Sequence, residues 1–194
     1  MAELSKVRFG LSKAYYAVIT DGTYGTPVAL PGAVSLTLNR EGNDPETFWA
    51  DNIAYYVFPA TNGGYTGTLT LAKVPESFLT DVLGEVKDDN GVQLEIADAV
   101  SKEFALLYEV EGDADQKRYV FFNCTAQRVA APANTKSDST SPDTQDLEFT
   151  AIGRDFQFGS GQSAVTHNVV KGSAVTSDTA FSTWYTTVPI PVKA

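Results

Sequence analysis

The sequence predicts a mainly β fold: an antiparallel β-sandwich or rolled sheet with one short flanking α-helix. Short runs rich in β-branched and aromatic residues recur between clusters of Gly, Pro, Asn and Asp, which is the pattern of strands joined by turns. Several runs alternate apolar and polar residues with a period of two, as half-buried strands do. Helical spacing of apolar residues occurs in one segment, so a single short helix is expected.

The strands follow from these runs in chain order. In the second run Leu36 and Leu38 lie on either side of Thr37, which is the alternation of a half-buried strand. A turn over residues 112–115 separates two later runs and predicts an antiparallel hairpin. The predicted strands are Ala14–Thr20, Ala33–Asn39, Tyr65–Lys73, Val92–Ala97, Phe104–Val110, Arg118–Ala126 and Gln145–Ile152.

The predicted helix covers Pro75–Glu85. Proline is favoured at the first position of a helix and glycine just past its end, and Pro75 and Gly84 occupy these places. A helix of about three turns is marginal alone, so we expect its apolar face to pack on the sheet. The residues on that face are Phe78, Leu79, Val82 and Leu83.

Two long connections, Arg40–Gly64 and Ala133–Asp146, are predicted to lack regular structure. The second is polar and contains a proline. Loops of this length in compact domains are usually functional, and exposed aromatic residues in them indicate a partner. Burial in the core is the alternative interpretation for such residues. The aromatic residues of the first connection are Trp49, Tyr55, Tyr56 and Phe58.

Membrane association is not predicted. The uncharged run Asn52–Ala72 is long enough to span a bilayer, but its proline, glycines and threonines fit a hairpin instead. Residues 1–16 lack the apolar run of a signal peptide, so export by that route is not expected.

The chain is predicted to form one β domain over residues 1–155, followed by an extension over 156–194. Beyond Arg154 the sequence is poor in charge and rich in Gly, Ser and Thr, without an evident core of its own. Two segments there are possible strands, Ala164–Val170 and Thr183–Val192. We expect the extension to pack on the same domain or on a neighbouring subunit.

The charge of the chain argues against a basic nucleic-acid clamp. It has 24 acidic and 14 basic side chains, a formal charge of −10 at pH 7. Proteins that grip nucleic acid cluster Lys and Arg against phosphates and release counterions, which an excess of carboxylates opposes. The acidity is concentrated in residues 41–100, where 11 acidic and 2 basic side chains leave a balance of −9.

Residues for catalysis, cofactor binding or metal binding are not predicted. The single cysteine, Cys124, and the single histidine, His167, lie in separate strand-like runs and cannot form a zinc site or a nucleophile relay. The acidic turns at 88–91 and 111–115 do not continue into a calcium-binding loop. Phosphate-binding glycine motifs are also absent from the sequence.

The order of motifs resembles the major tail protein, or tail tube protein, of long non-contractile-tailed bacteriophages. The resemblance covers residues 14–155 and is looser beyond them. Each motif matches the family only as a pattern of residue types, and the specificity comes from the motifs taken together. The motifs are KAYYAVIT, PGAVSLTLNREG, FWADNIAYY, GYTGTLTLAKVPESFLTDVLG, FALLYEVEGDADQKRYVFFNCTAQR and DLEFTAIGRD.

The resemblance implies a structural virion protein whose copies close into rings, six to a ring, that stack into a tube conducting genomic DNA. The chain would reside in the virion tail, and in the host cytoplasm before assembly. Its partners would be itself, the tape-measure protein and the tail terminator and distal tail proteins, while DNA would pass without specific binding. By analogy the long connection projects towards a neighbour, and its interface candidates are Trp49, Asp51, Tyr55, Tyr56 and Phe58.

Two further points stay open at the level of sequence. The acidic residues either line the bore, where they would repel DNA, or keep the free subunit soluble, and the lumen-facing residues are not identified. The alternative functions are a virion decoration or adhesin-like binding module and, last, a hydrolase that uses unrecognised carboxylates.

Overall fold

The computed structural model describes residues 9–112, 116–130, 142–159 and 164–192. Within these ranges the chain forms the α-helix α1 (Glu76–Asp81), a 3-10 turn at Thr179–Phe181 and a series of β-strands. The strands are β1 (Leu11–Thr20), β2 (Thr23–Tyr24), β3 (Val28–Ala29), β4 (Ala33–Glu41), β5 (Glu46–Ala50), β6 (Ile53–Phe58), β7 (Gly64–Leu71), β8 (Val86–Lys87), β9 (Gln93–Leu94), β10 (Phe104–Val110), β11 (Arg118–Ala126), β12 (Gln145–Ile152), β13 (Arg154–Phe158), β14 (Val165–Val169) and β15 (Lys171–Ala174).

The main sheet has the order β2-β1-β10-β11-β12-β7-β4, and β3 and β15 join it on β1 and β11. Its strand pairs are antiparallel. The sheet curls so that β4 contacts β1. Between β3 and β4, Leu30 N donates to Ala14 O of β1 (2.7 Å). The prediction of a mainly β, antiparallel, rolled fold with one short helix is confirmed.

Six of the seven strands predicted before residue 153 are confirmed, as β1, β4, β7, β10, β11 and β12. The prediction over Val92–Ala97 is wrong beyond β9, which pairs only with the equally short β8. The reason is a turn directly after it, where Ala99 N donates to Ile96 O (3.2 Å).

In the C-terminal part, the strand predicted within Ala164–Val170 is present as β14. The strand predicted over Thr183–Val192 is wrong. Thr186 N and Thr187 N both donate to Thr183 O, at 2.9 and 3.0 Å, so the segment forms consecutive turns. These local bonds use the backbone groups that a strand would offer to a neighbour.

The helix is shorter than predicted. It starts after Pro75 and ends at Asp81, because Leu79 O accepts a hydrogen bond from Glu85 N (3.0 Å) in place of an i→i−4 helical bond, at a turn where Gly84 has φ 76°. The helix packs on the sheet as expected, and Tyr16 Oη donates to the Asp81 carboxylate (2.8 Å). Burial, together with that carboxylate, raises the pKa of Tyr16 to about 12. Within the described ranges no helix has the length and apolar character to cross a bilayer.

The central strands of the sheet are covered on both faces, so β10 is buried along nearly its whole length. The inner face packs against α1, and the outer face against the C-terminal segment. In a strand that is covered on both sides, apolar and polar residues need not alternate, which accounts for the continuous apolar run FALLYEV. The outer-face cluster contains Ala17, Ala105, Leu107, Val120, Phe122, Phe156, Ala174, Trp184 and Val188.

The C-terminal segment contacts the sheet through backbone and side chains. Strand β15 pairs with the first half of β11, while β12 pairs with the second half. Trp184 and Val188 lie on the outer face and are 2% exposed. The division into a domain over residues 1–155 and an extension over 156–194 stays a prediction.

A buried ionic cluster attaches this segment to the sheet. The Glu109 carboxylate is 4% exposed and accepts hydrogen bonds from Lys13 Nζ (3.0 Å), Arg118 Nε (2.7 Å) and Tyr185 Oη (3.2 Å). The Arg118 guanidinium lies over the Phe181 ring at 3.6 Å and donates to its carbonyl oxygen. Burial alone would raise the pKa of Glu109, but hydrogen bonds and positive charge from Lys13 and Arg118 outweigh it and lower the pKa.

We expect Glu109→Gln to remove a pH-dependent part of the stability. Because the folded-state pKa of Glu109 lies below its ordinary 4.5, its contribution is present above pH 4.5 and is lost as the pH falls through the lower folded value. At pH 7 the variant should lose about 3 kcal/mol of unfolding free energy, since Lys13 and Arg118 are left without their counter-charge. Urea unfolding between pH 3 and 7 measures this, and a difference that does not shrink in acid would contradict it.

Candidate assembly surface

The connection Arg40–Gly64, predicted as an irregular loop, is a β-hairpin, so that prediction is wrong. Strands β5 and β6 pair antiparallel with Ala50 opposite Ile53 and Phe48 opposite Tyr56. Their extensive contacts are with each other. We call residues 46–58 the arm. Six residues of strand rise about 20 Å, so the arm projects well clear of the sheet.

The end of the arm is a two-residue turn made by Asp51 and Asn52. Their φ angles are 49° and 60°, in the left-handed region that a type I′ hairpin requires at both central positions. Asn and Asp adopt this region more readily than other non-glycine residues because their side chains bond locally. Asp51, an interface candidate from the sequence, therefore has a structural role in the turn.

We expect the turn to tolerate glycine at position 52 and to reject a β-branched residue. Asn52→Gly keeps the positive φ at no steric cost, whereas Asn52→Val places a branched side chain there at a cost of about 1–2 kcal/mol. Amide exchange within the arm should be unchanged or slower in the first variant and faster in the second. Equal exchange in both variants would contradict the assigned turn.

The base of the arm continues the ribbon formed by β4 and β7. Gly63 N donates to Glu41 O (2.9 Å), and Thr61 N donates to Asn43 O (3.2 Å). At Gly42 the backbone has φ +141°, and an added Cβ would lie 2.1 Å from Thr61 O. Only glycine fits this crossing, which gives the arm a defined direction relative to the sheet.

The apolar residues of the arm are exposed on both of its faces. Their exposed fractions lie between 52% for Val57 and Phe58 and 68% for Tyr55. Tyr56 and Phe58 contact each other edge to face at 5.0 Å. The sequence left two interpretations for these aromatic residues, a partner interface and burial in the core. Their exposure excludes burial in the core of the subunit. The exposed large apolar residues are Phe48, Trp49, Ile53, Tyr55, Tyr56, Val57 and Phe58.

The arm and its base are acidic. Residues 41–64 contain Glu41, Asp44, Glu46 and Asp51 and no lysine or arginine. These residues are exposed, so their charge surrounds the apolar surface. A partner for the arm must therefore be apolar and must not carry a concentration of carboxylates.

A second surface is the polar outer face of β4, β7 and β12. Residues of the three strands align in rows, with Thr68 opposite Thr37 on one side and Glu148 on the other. Thr70 Oγ1 donates to Asp146 Oδ1 (2.7 Å) across the strands. We call this surface the polar face. Its residues are Ser35, Thr37, Asn39, Thr66, Thr68, Thr70, Asp146, Glu148 and Thr150.

The single cysteine and the single histidine of the sequence both pack against other residues of the fold. Cys124 is fully buried, and burial raises the pKa of its thiol. His167 lies on β14, packed edge to face on Phe158 at 5.0 Å. In residues 9–112, 116–130, 142–159 and 164–192, no group of three His, Cys, Asp or Glu side chains has a metal-binding arrangement.

The acidic turn at 88–91 is held by its own side chain. Asp88 Oδ1 accepts hydrogen bonds from Val92 N (2.7 Å) and Asn90 N (3.0 Å). The bond from Val92 N is the main cause of a lowered pKa at Asp88. This is a turn stabilised by an Asp side chain. Of the other acidic turn, residues 113–115 lie outside the described residues, as do residues 133–141 of the second long connection.

The hairpin predicted over Asn52–Ala72 is wrong, because β6 pairs with β5 and β7 pairs with β4 and β12. Sequence reasoning missed the arm as a regular element, although its signal was present. Asp51 and Asn52 stand between two runs rich in aromatic and β-branched residues, FW and IAYYVF, which is a hairpin pattern. The polar face was missed for a different reason: alternation identifies each strand, but the register that aligns their polar residues is a property of the fold.

Comparison with protein-family models and with curated proteins finds no match. Among solved structures, the fold is similar to a chain of the PVC sheath–tube complex of an extracellular contractile injection system in its extended state. The TM-score is 0.44 and the identity 12%, over 84% of this chain and 94% of that one. It is also similar to a chain of the anti-feeding prophage cap, a tube terminating cap, with a TM-score of 0.41 and 11% identity over 88% and 93% of the two chains.

Proposed function

We propose that the chain is a structural subunit that assembles with copies of itself into stacked rings, forming the tube of a phage-type tail through which DNA passes. The observation that carries this proposal is the arm, an acidic hairpin with exposed aromatic residues on both faces. Support also comes from the sequence motifs over residues 14–155 that resemble phage major tail proteins. Six subunits per ring, and the tape-measure, terminator and distal tail proteins as partners, follow from that resemblance.

The apolar area of the arm is of the size that an interface uses. An aromatic side chain buries about 150–250 Å². The five aromatic residues of the arm are 52–68% exposed and therefore present roughly 600 Å². A standard interface buries about 800 Å² on each partner, so the arm alone supplies most of one side. Soluble monomers seldom leave so large an apolar surface uncovered.

The arm also fits the geometry of an open-ended assembly. A projecting element that contacts a different surface on the next copy makes a heterologous interface, which closes into rings or continues as a filament. Strand β4 ends the main sheet on the side that carries the arm, which leaves a sheet edge next to it. A subunit therefore presents two separate means of contacting copies of itself.

The polar face fits the wall of a DNA conduit. Its nine positions hold short hydroxyl and amide side chains with two carboxylates and no lysine or arginine. Basic residues there would make salt-dependent contacts with phosphates and retain DNA, while carboxylates repel it. We therefore infer that the polar face lines the bore, and that the acidic arm lies at the contacts between subunits.

Assembly of the purified chain tests the proposal. Sedimentation velocity and negative-stain microscopy over a range of concentrations, with and without the other tail components, should reveal rings or tubes. A chain that stays monomeric under all these conditions contradicts the proposal. Binding to glycans without polymerisation would instead favour a decoration or adhesin-like module.

We expect Glu148→Lys on the polar face to make assembled tubes retain DNA. The change replaces a repelling charge by an attracting one in every copy, and the effect repeats around each ring. Asp98→Lys, the same change at an exposed residue far along the sequence from the polar face, is the matched control and should not retain DNA. Co-sedimentation of linear DNA with tubes at 50 and 200 mM salt measures both, and equal retention by the two variants would contradict the assignment of the bore.

A further inference from the structure

The outer face of the sheet carries a groove next to the C-terminal segment. Its volume is about 600 Å³, and its lining includes Val120, Phe122 and Ala174, which are at most 6% exposed. Trp184 and the run 189–191, Pro-Ile-Pro, form its wall. Ile190 is 56% exposed, so an apolar side of the groove faces solvent.

The groove has little net charge, and one of its lining residues, Trp184, has a buried side-chain donor. Trp184 Nε1 is buried and has no acceptor among the described residues. The acidic residue of the lining, Asp178, already accepts a hydrogen bond from Val175 N (2.9 Å).

A second exposed apolar surface lies around β8 and β9, where Val86, Val92, Leu94 and Val100 are exposed. Residues 85–98 also contain Glu85, Asp88, Asp89, Glu95 and Asp98 against a single lysine. An acidic arm placed there would meet like charge, which costs energy at an interface. The lining of the groove contains a single carboxylate, that of Asp178, so the like-charge repulsion there is smaller.

We propose that the groove receives the arm of a second copy of this chain. Aromatic residues of the arm fill the groove against the exposed Ile190 and the flanking Pro189 and Pro191. The contact is heterologous, because the arm of one copy enters the groove of the next. This inference rests on the proposed function and adds to it the surface that receives the arm.

A complementation experiment tests this contact. The arm-deficient variant carries Trp49→Ala and Tyr56→Ala and keeps its groove, while the groove-blocked variant carries Ile190→Asp and keeps its arm. Each alone should need at least 30-fold more protein to assemble than the wild type. Mixed together, they retain one intact arm and one intact groove, so native mass spectrometry should detect a 1:1 complex that neither forms alone. Val100→Asp, at an 85% exposed valine, is the control and should assemble normally.

The outcomes separate the inference from the proposed function. If the wild type assembles while Ile190→Asp also assembles normally, or the mixture forms no complex, the groove is not the site and the proposed function stands. If the wild type stays monomeric, both are overturned.

Cross-linking provides a second readout that does not depend on loss of assembly. A Tyr55→Cys variant mixed with an Ile190→Cys variant should form a disulfide between two copies under mild oxidation. The native Cys124 is buried and should not compete. Disulfides between copies of the same variant, with none in the mixture beyond that level, would overturn the contact.

Discussion

Replacing Trp49 and Tyr56 together by alanine is expected to abolish assembly at concentrations where the wild type polymerises, while leaving the fold intact. Both side chains are more than half exposed, so their removal costs the subunit little stability. At an interface, truncating an aromatic residue of this kind costs about 1–2 kcal/mol. The concentration needed for assembly should rise roughly 30- to 700-fold, for a combined loss of 2–4 kcal/mol.

Sedimentation velocity measures the loss of assembly, and thermal unfolding measures the fold. A matched pair of valines supplies the control, since Val57 in the arm and Val100 outside it are both exposed. Val57→Lys should impair assembly and Val100→Lys should not. Collapse of the melting temperature with normal assembly of the remaining folded protein would show that the aromatics stabilise the subunit instead.

Replacing Phe78 by alanine should cause the largest loss of subunit stability, about 3–5 kcal/mol. The side chain is fully buried and contacts two other rings edge to face, Tyr16 at 5.0 Å and Phe104 at 5.4 Å. It is the buried residue within α1, so its removal leaves a cavity between the helix and the inner face of the sheet. A single domain is stabilised by about 5–15 kcal/mol in total, so the variant should be close to unfolding at 37 °C.

Urea unfolding at 25 °C measures this loss, with Tyr55→Ala as the exposed aromatic control. That variant should change the unfolding free energy by less than about 0.5 kcal/mol. A Phe78→Ala variant as stable as the control would mean that the helix does not depend on its buried ring.

The strands of the main sheet could be predicted from the sequence because their signals are local. Alternation around Leu36 and Leu69, and turn residues between the runs, are enough to identify strands without knowledge of their partners. The helix was found for the same reason, through the spacing of Phe78 and its neighbours. Its end lies earlier than predicted, because Leu79 O accepts its hydrogen bond from Glu85 N and the turn before Gly84 is not helical.

The C-terminal segment shows where local signals fail. Thr183–Val192 has the composition of a strand, yet its backbone bonds close locally as turns, and Trp184 covers the outer face of a sheet formed mostly by earlier residues. The position of Trp184 over the outer face depends on the pairing of β10 with β11, which the residues of the C-terminal segment do not reveal. The exposure of the arm's aromatic residues likewise depends on which surfaces the rest of the fold covers. Composition alone could not show whether these residues belong to a core or to an interface.

A three-dimensional reconstruction of the assembled protein by cryo-electron microscopy tests the central claim most directly. The claim predicts that the arm of each subunit is buried against a neighbouring copy, with Trp49 and Tyr56 excluded from solvent. Subunits joined through other surfaces, with the arm free in solvent, would contradict it.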